Sequence, residues 1–340
     1  LKAKLLTFLK LVLALGLGLL IAYLSLKDLS SEAKKFIIDS FKLANYYLIF
    51  LSILIGILSH YVRAIRWKML LKPMGYSLST KTSFLAVMVG YFANLGIPRS
   101  GEVARCSVLY TENKIPVDKS FGTVIVERSI DMILFFSLFL FIFLIEHARI
   151  YSYVSTQIFP FFAEKFSFIQ SKQSLIFIML AIGILLTIPL IIFRKRLLNT
   201  ALFKKIINLF SGLFEGLLSI VKIKQPILFI FYSILIWTLY FLMTYTIMLS
   251  LPQTSHLGIS AGISVLVLGS IGIMVTPGGI GLYPVIVAQT LVLYGISAES
   301  GYGDAIGWIS WSAQTIMIIV VGAISLLVVS IHKKKRSNES

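Results

Sequence analysis

Long uncharged apolar runs alternate along the chain with short stretches that collect lysine, arginine and acid. A hydrocarbon core about 30 Å thick takes about 20 apolar residues at 1.5 Å rise each. Six runs read as full crossings: Leu5–Leu26, Tyr46–Val62, Ser129–Ile145, Ser174–Phe193, Pro226–Leu251 and Ala305–His332. The first is read as a retained span, because its apolar run is too long for a signal-peptide core and no small-x-small cleavage site follows it. From Gln225 to Ala298 no residue is charged. That stretch is too long for one span, and it is interrupted at Pro252, at Thr276–Gly281 and at Pro284. Thr82–Pro98 is also uncharged, slightly short for a crossing, and ends in Asn94-Leu95-Gly96-Ile97-Pro98.

The composition agrees with this pattern. Of 340 residues, 58% are hydrophobic and 13% charged, with a mean hydropathy of +0.92. Soluble domains carry about 25% charged residues, so the class is a polytopic all-α membrane protein, not a soluble enzyme. The net charge of +17 would suggest a nucleic-acid partner in a soluble chain, but here the bases lie in clusters between spans, and no nucleic acid is expected. One cysteine, Cys106, excludes a disulfide framework, and the four histidines form no ligand-spaced pair, so no metal or cofactor is expected.

Lys and Arg near span ends set the orientation. Lys2, Lys4 and Lys10, then Arg63, Arg66, Lys68 and Lys72, then the Arg194–Lys224 loop, and finally Lys333–Arg336 all fall on one side if both termini are cytoplasmic. The opposite side receives fewer bases, mixed with acids. The segments Ser79–Lys119 and Gly258–Ser300 must then each start and finish on the same side, the first inside and the second outside. Each is a pair of short crossings or a re-entrant hairpin. The order span, span, hairpin, span repeats upside down, which predicts an inverted repeat of the kind used by many transporters. The alternative is a bundle of ordinary spans with short connections. The chain then reads as a single membrane domain over residues 1–340. Its first half covers 1–146 with the hairpin at 79–119, and its second covers 174–332 with the hairpin at 258–300. A basic tail occupies 333–340. Leu198, Leu202, Ile206, Leu209, Leu213 and Leu217 recur at helical spacing between bases, so residues 194–224 read as a helix on the cytoplasmic headgroups.

Charges at membrane depth are costly, about 2.5–3.5 kcal/mol each on insertion scales, and two clusters sit there. Arg99, Glu102 and Arg105 are successive i,i+3 neighbours if their stretch is helical. Glu127-Arg128 and Asp131 open a very apolar span, with Glu127 and Asp131 at i,i+4 and Arg128 and Asp131 at i,i+3. Three arginines against three acids can neutralise one another when empty, and can open to a headgroup phosphate, which guanidinium binds in a bidentate fork. The competing reading is an ion-pair network that only locks a hairpin to a span. Asn94, Pro98 and Gly101 mark the first hairpin turn, and Pro277, Gly278, Gly279 and Gly281 the second. Backbone unwound at that depth must face protein or water; glycine packing between helices explains the same residues equally well. No phosphate loop, HExxH or GxSxG occurs, and no catalytic set emerges.

At these motifs the chain resembles the lysylphosphatidylglycerol synthase transmembrane-region family, also described as flippase-like membrane proteins. The resemblance is carried by Arg63-Ala64-Ile65-Arg66-Trp67-Lys68-Met69-Leu70-Leu71 with Gly75, by Asn94–Pro98 with Arg99, Gly101, Glu102 and Arg105, by Glu127-Arg128 and Asp131, and by Pro277, Gly278, Gly279 and Gly281, in that order. Family members often carry a glutamate three residues after the last glycine, where Pro284 stands here. In multidomain relatives the membrane unit is joined to a soluble aminoacyl-transfer domain; beyond His332 only a short basic tail is present, so lysyl transfer is not expected. The resemblance implies a stand-alone flippase or scramblase of the inner (cytoplasmic) membrane, with membrane lipids as partners. The alternative is a non-transport partner of envelope-biosynthesis membrane enzymes. The sequence does not set an oligomeric state.

Overall fold

The computed structural model describes residues 31–96, 99–153, 155–156 and 223–339, with Tyr23 and Lys27. The expected spans Leu5–Leu26 and Ser174–Phe193, nearly all of the cytoplasmic helix at 194–224, and Pro98 lie outside the described residues. Within them the chain is helical and without strands: α1 (Ser31–Leu43), α2 (Tyr46–Leu71), α3 (Thr80–Gly96), α4 (Gly101–Asn113), α5 (Val117–Ile145), α6 (His147–Tyr153), α7 (Pro226–Met248), α8 (Ile259–Val275), α9 (Leu282–Val292) and α10 (Tyr302–Glu339). Four of these regions are long and apolar enough to cross a bilayer: Tyr46–Met74, Val117–Ile145, Pro226–Met248 and Tyr302–His332. The protein is an all-helical membrane protein.

Two expected boundaries shift. The second span does not stop at Val62: α2 runs on to Leu71, and Arg63, Arg66 and Trp67 are buried within it. These two arginines are therefore not interfacial charges, and Lys68 and Lys72 alone mark the helix end. Likewise α5 begins at Val117, which places Glu127, Arg128 and Asp131 inside the helix and not at its head. In each case a helix passes through its own charges because neighbouring helices supply partners of opposite sign.

Helices α2 and α7 are antiparallel neighbours, as Ser52 against Met243 and Arg66 against Ser233 show. The bundle accordingly has a Tyr46 side and a Lys72 side. Two large apolar cores form, one on each side, with a smaller cluster of Val62, Ile236 and Leu239 between α2 and α7. Trp67, Leu71, Leu109, Ile115 and Phe229 belong to the core on the Lys72 side, and Ile247, Leu251, Val287, Leu291 and Ile306 to the other. The charged cluster described below packs against the core on the Lys72 side, with Arg66 over the Phe229 ring and Arg105 over the Trp67 ring.

The pairs α3–α4 and α8–α9 enter from opposite sides. At 1.5 Å per residue α3 and α8 reach about 25 Å, α4 about 20 Å and α9 about 16 Å, each short of a full crossing. Helix α10 gives their depth. From its start, Gly303 meets Ala288, Gly307 meets Pro284, and Trp311 donates to the Gly278 carbonyl at 2.8 Å; further on, Gly322 meets Phe92, and His332 lies by Glu112. The turns after α3 and α8 thus approach one another near half height, where Leu95 packs on Gly278.

Candidate functional site

The first hairpin turn is held by side chain and backbone together. Asn94 Oδ1 accepts from the Gly101 N–H at 2.7 Å, supplying a partner for an amide at the start of α4, and Ser100 Oγ donates to the Ala93 carbonyl at 3.1 Å. Gly101 is needed for close approach: a Cβ there would overlap the Gly90 carbonyl. Arg99 precedes α4, with φ +62°, and is exposed. It therefore does not share a helical face with Glu102 and Arg105, as the i,i+3 spacing predicts; a left-handed residue breaks the phase. Glu102 and Arg105 do share a face.

Facing them across the bundle, Glu127 is fully buried and held by three guanidinium groups. Arg63 Nη1 donates to Glu127 Oε1 and, at 2.8 Å, to Asp131 Oδ2. Arg105 Nη1 donates to Glu127 Oε2 at 3.2 Å. Arg66 Nη2 lies 2.8 Å from Asp131 Oδ1 and 3.5 Å from Glu127 Oε1, while its Nη1 donates to Ser233 Oγ at 3.0 Å. Arg63 Nε and Nη2 both donate to the Tyr240 hydroxyl, at 3.2 and 2.9 Å. The Arg105 guanidinium stacks over the Trp67 ring at 4.6 Å, and Trp67 Nε1 donates to Thr123 Oγ1 at 2.9 Å. The network joins α2, α4, α5 and α7.

Arg128 takes a different partner from the one its spacing suggests. It donates through Nη2 to Glu102 Oε1 at 2.9 Å, with 45% of its side chain exposed. Four guanidinium groups (Arg63, Arg66, Arg105 and Arg128) therefore meet three carboxylates (Glu102, Glu127 and Asp131), and the cluster carries one positive charge in excess. Arg63, Arg66, Tyr91 and Tyr240 are the members that charge spacing alone misses. The signal was present: Arg63 and Arg66 stand at i,i+3 beside Trp67, the pattern of one face of a continuing helix.

Between α3, α4 and α5 lies a narrow cleft lined by Arg63, Arg105, Arg128, Glu102, Tyr91 and Asn94 and by the backbone around Gly90 and Gly101. Arg105 Nη2 and Glu102 Oε2 are buried without hydrogen-bond partners among the described residues. The lining thus offers an unused N–H of a 5% exposed arginine and a second arginine held by one carboxylate. An oxyanion with several acceptor oxygens matches both.

The second turn is built by glycines with positive φ, Gly278 (+59°), Gly279 (+77°) and Gly281 (+73°), a conformation that costs other residues about 1–2 kcal/mol. Pro277 and Gly279 are buried. This turn meets the first through Gly278 and Leu95, and it does not line the charged cleft. Of the expected turn residues, Asn94 and Gly101 therefore share the cleft with the charges, whereas the Pro277–Gly281 turn lies beside it.

A helical membrane protein with a buried arginine–carboxylate network beside paired hairpins is the class that fold and site define. The chain belongs to the family described as lysylphosphatidylglycerol synthase TM region, whose model matches residues 7–322. It is also similar to UPF0104 membrane protein MJ1595 of Methanocaldococcus jannaschii, with 38% identity over 96 residues, 27% of this chain and 29% of that protein's length. No solved structure matches.

Proposed function

We propose that the protein moves a phosphate-bearing lipid, anionic or polyprenyl-phosphate-linked, between the leaflets of the cytoplasmic membrane, with both termini cytoplasmic and the two halves forming an inverted repeat. The observation that carries this reading is the cleft at Arg105 and Arg128. It sits part-way into the bundle, carries excess positive charge, and holds Glu102 where a phosphate would bind. In the empty state Glu102 neutralises Arg128. A headgroup phosphate displaces it, takes the unused Arg105 N–H, and leaves the acyl chains outside in lipid. Arg99, exposed at the hairpin turn, adds positive potential on the same approach.

Arg63, Arg66, Glu127 and Asp131 have a different task here. They fix the floor of the cleft, because their groups already bond one another and Tyr240 and Ser233. The opposed half-length hairpins give the two-sided construction that alternating access uses, and family membership fits a lipid-related membrane role. The test is leaflet exchange of labelled phosphatidylglycerol and of a labelled polyprenyl phosphate in vesicles. Arg105→Gln and Arg128→Gln are expected to lower exchange of one or both at least about tenfold, equivalent to about 1.4 kcal/mol of barrier. Wild-type exchange in both variants, with both lipids, overturns the reading and leaves the charges as a structural lock in a non-transport membrane partner.

A further inference from the structure

The two halves are tied to each other at opposite ends of the bundle. Helix α5 follows the first hairpin and runs to the Tyr46 side, where it reaches the second. There Ser260 Oγ, in the first turn of α8, donates to Oε1 of Glu146, the residue that caps α5. Tyr294, just past α9, places its hydroxyl 2.7 Å from Ser264 Oγ and 3.2 Å from Ser260 Oγ. Arg149 of α6 closes the group, with Nε 3.4 Å from Glu146 Oε2 and its guanidinium 4.3 Å from the centre of the Tyr294 ring.

Helix α10 repeats this arrangement upside down. It follows the second hairpin, runs to the Lys72 side and reaches the first, where His332 Nδ1 lies 3.3 Å from Oε2 of Glu112, near the end of α4. Each tie therefore joins the long helix of one half to the hairpin of the other. Each also acts on a helix that carries the arginine cleft. Glu112 stands two turns after Arg105, about 10 Å along the same buried face of α4. Glu146 caps the helix that bears Glu127, Arg128 and Asp131. Between the two ends, the Arg128–Glu102 ion pair fastens α4 to α5. With all three ties made, the cleft is narrow.

We infer that the Glu146–Ser260–Tyr294 cluster and the His332–Glu112 contact are the two gates of the transport cycle, one on each face, and that the cleft opens to a face when the tie on that face breaks. The inference rests on the transport reading above. Displacing Glu102 from Arg128 frees α4 from α5 inside the bundle, so each helix can tilt about the end still held. Breaking the His332–Glu112 contact releases the end of α4 on the Lys72 side. Breaking the Glu146 cluster releases α5 and the second hairpin on the Tyr46 side. Both ties reach the surface, with the Arg149 side chain 44% and the His332 side chain 36% exposed. Such contacts are weak enough to part and re-form, whereas Arg63, Arg66 and Glu127 are buried in one network and stay together.

Reversible linking in the full chain tests this. Glu146→Cys with Ser260→Cys, and Glu112→Cys with His332→Cys, are each bridged by a short bifunctional thiosulfonate that forms reducible disulfides, against a background in which Cys106 is fully buried. In vesicles of phosphatidylethanolamine with phosphatidylglycerol, linking either pair is expected to lower exchange of labelled phosphatidylglycerol about tenfold or more, and reduction to restore it. A contact that only holds the bundle together has no need to open, so undiminished exchange in either linked pair overturns the assignment. Amide exchange on the purified protein adds a readout that needs no lipid transport. Tyr294→Phe is expected to speed exchange in α8 and α9 about tenfold, and His332→Ala to do so in α4, each leaving the other hairpin within about twofold of wild type. Loosening of both hairpins by either variant, or of neither, overturns the gates. If a cysteine pair does not fold or is inactive before linking, this measurement decides. Absence of lipid exchange by the wild-type chain overturns the transport reading instead, and amide exchange still reports whether the two ties open separately.

Discussion

Glu127 and Arg128 are adjacent in sequence and differ in almost every physical respect. The Glu127 carboxylate is fully buried among Arg63, Arg66 and Arg105, so neutralising it strands guanidinium charge in the interior. Glu127→Gln is expected to destabilise the protein by about 3–5 kcal/mol, seen as a lowered thermal midpoint in detergent. Arg128 is half exposed on one carboxylate, and Arg128→Gln is expected to cost under about 1 kcal/mol while abolishing anionic-lipid exchange. Equal stability losses in the two variants would contradict this division of labour. The acids and Arg105 were legible from the sequence because charge inside an apolar run stands out. Arg63 and Arg66 stand where an apolar run ends and so read as interface bases, although their i,i+3 spacing beside Trp67 carries the signal that α2 continues and turns them inward.

Among the elements, the hairpins show how far glycine explains a turn. In the second, Gly278, Gly279 and Gly281 adopt positive φ, which the Pro-Gly-Gly run announces from sequence. In the first, Gly101 matters for contact: its Cα lies against the backbone of Gly90, a long-range proximity that no local pattern encodes. Gly101→Ala is expected to open that contact and lower both stability and exchange, whereas Gly122→Ala in α5, which meets nothing within 4 Å, is expected to be neutral or to stabilise by up to about 1 kcal/mol. Unfolding midpoints of the two variants check this. Pro284 also finds its explanation at this scale. It lies in the first turn of α9, where proline is tolerated, and Gly307 packs directly on its backbone. Gly307→Ala would place a Cβ 2.6 Å from Pro284 Cα and is expected to loosen α9 from α10, read as faster amide exchange in α9.

For the whole molecule, the hydrophobic pattern established the membrane class, the described apolar helices and the two interrupted pairs, because bilayer thickness imposes a length that sequence must obey. It did not reveal which side chains meet where the two turns approach near half height, or that the charges pack against the apolar core on the Lys72 side; the first follows from how α10 packs along the hairpins, the second from Trp67 and Phe229 lying under Arg105 and Arg66. The account's central claim is that Glu102 stands in for a headgroup phosphate at Arg105 and Arg128. The most direct measurement is a density map of the full chain in phosphatidylglycerol nanodiscs. The account predicts a lipid phosphate within hydrogen-bond distance of Arg105 Nη2 and Arg128, with Glu102 displaced. A map in which Glu102 still holds Arg128 and phosphates lie only at the level of the helix ends would contradict it.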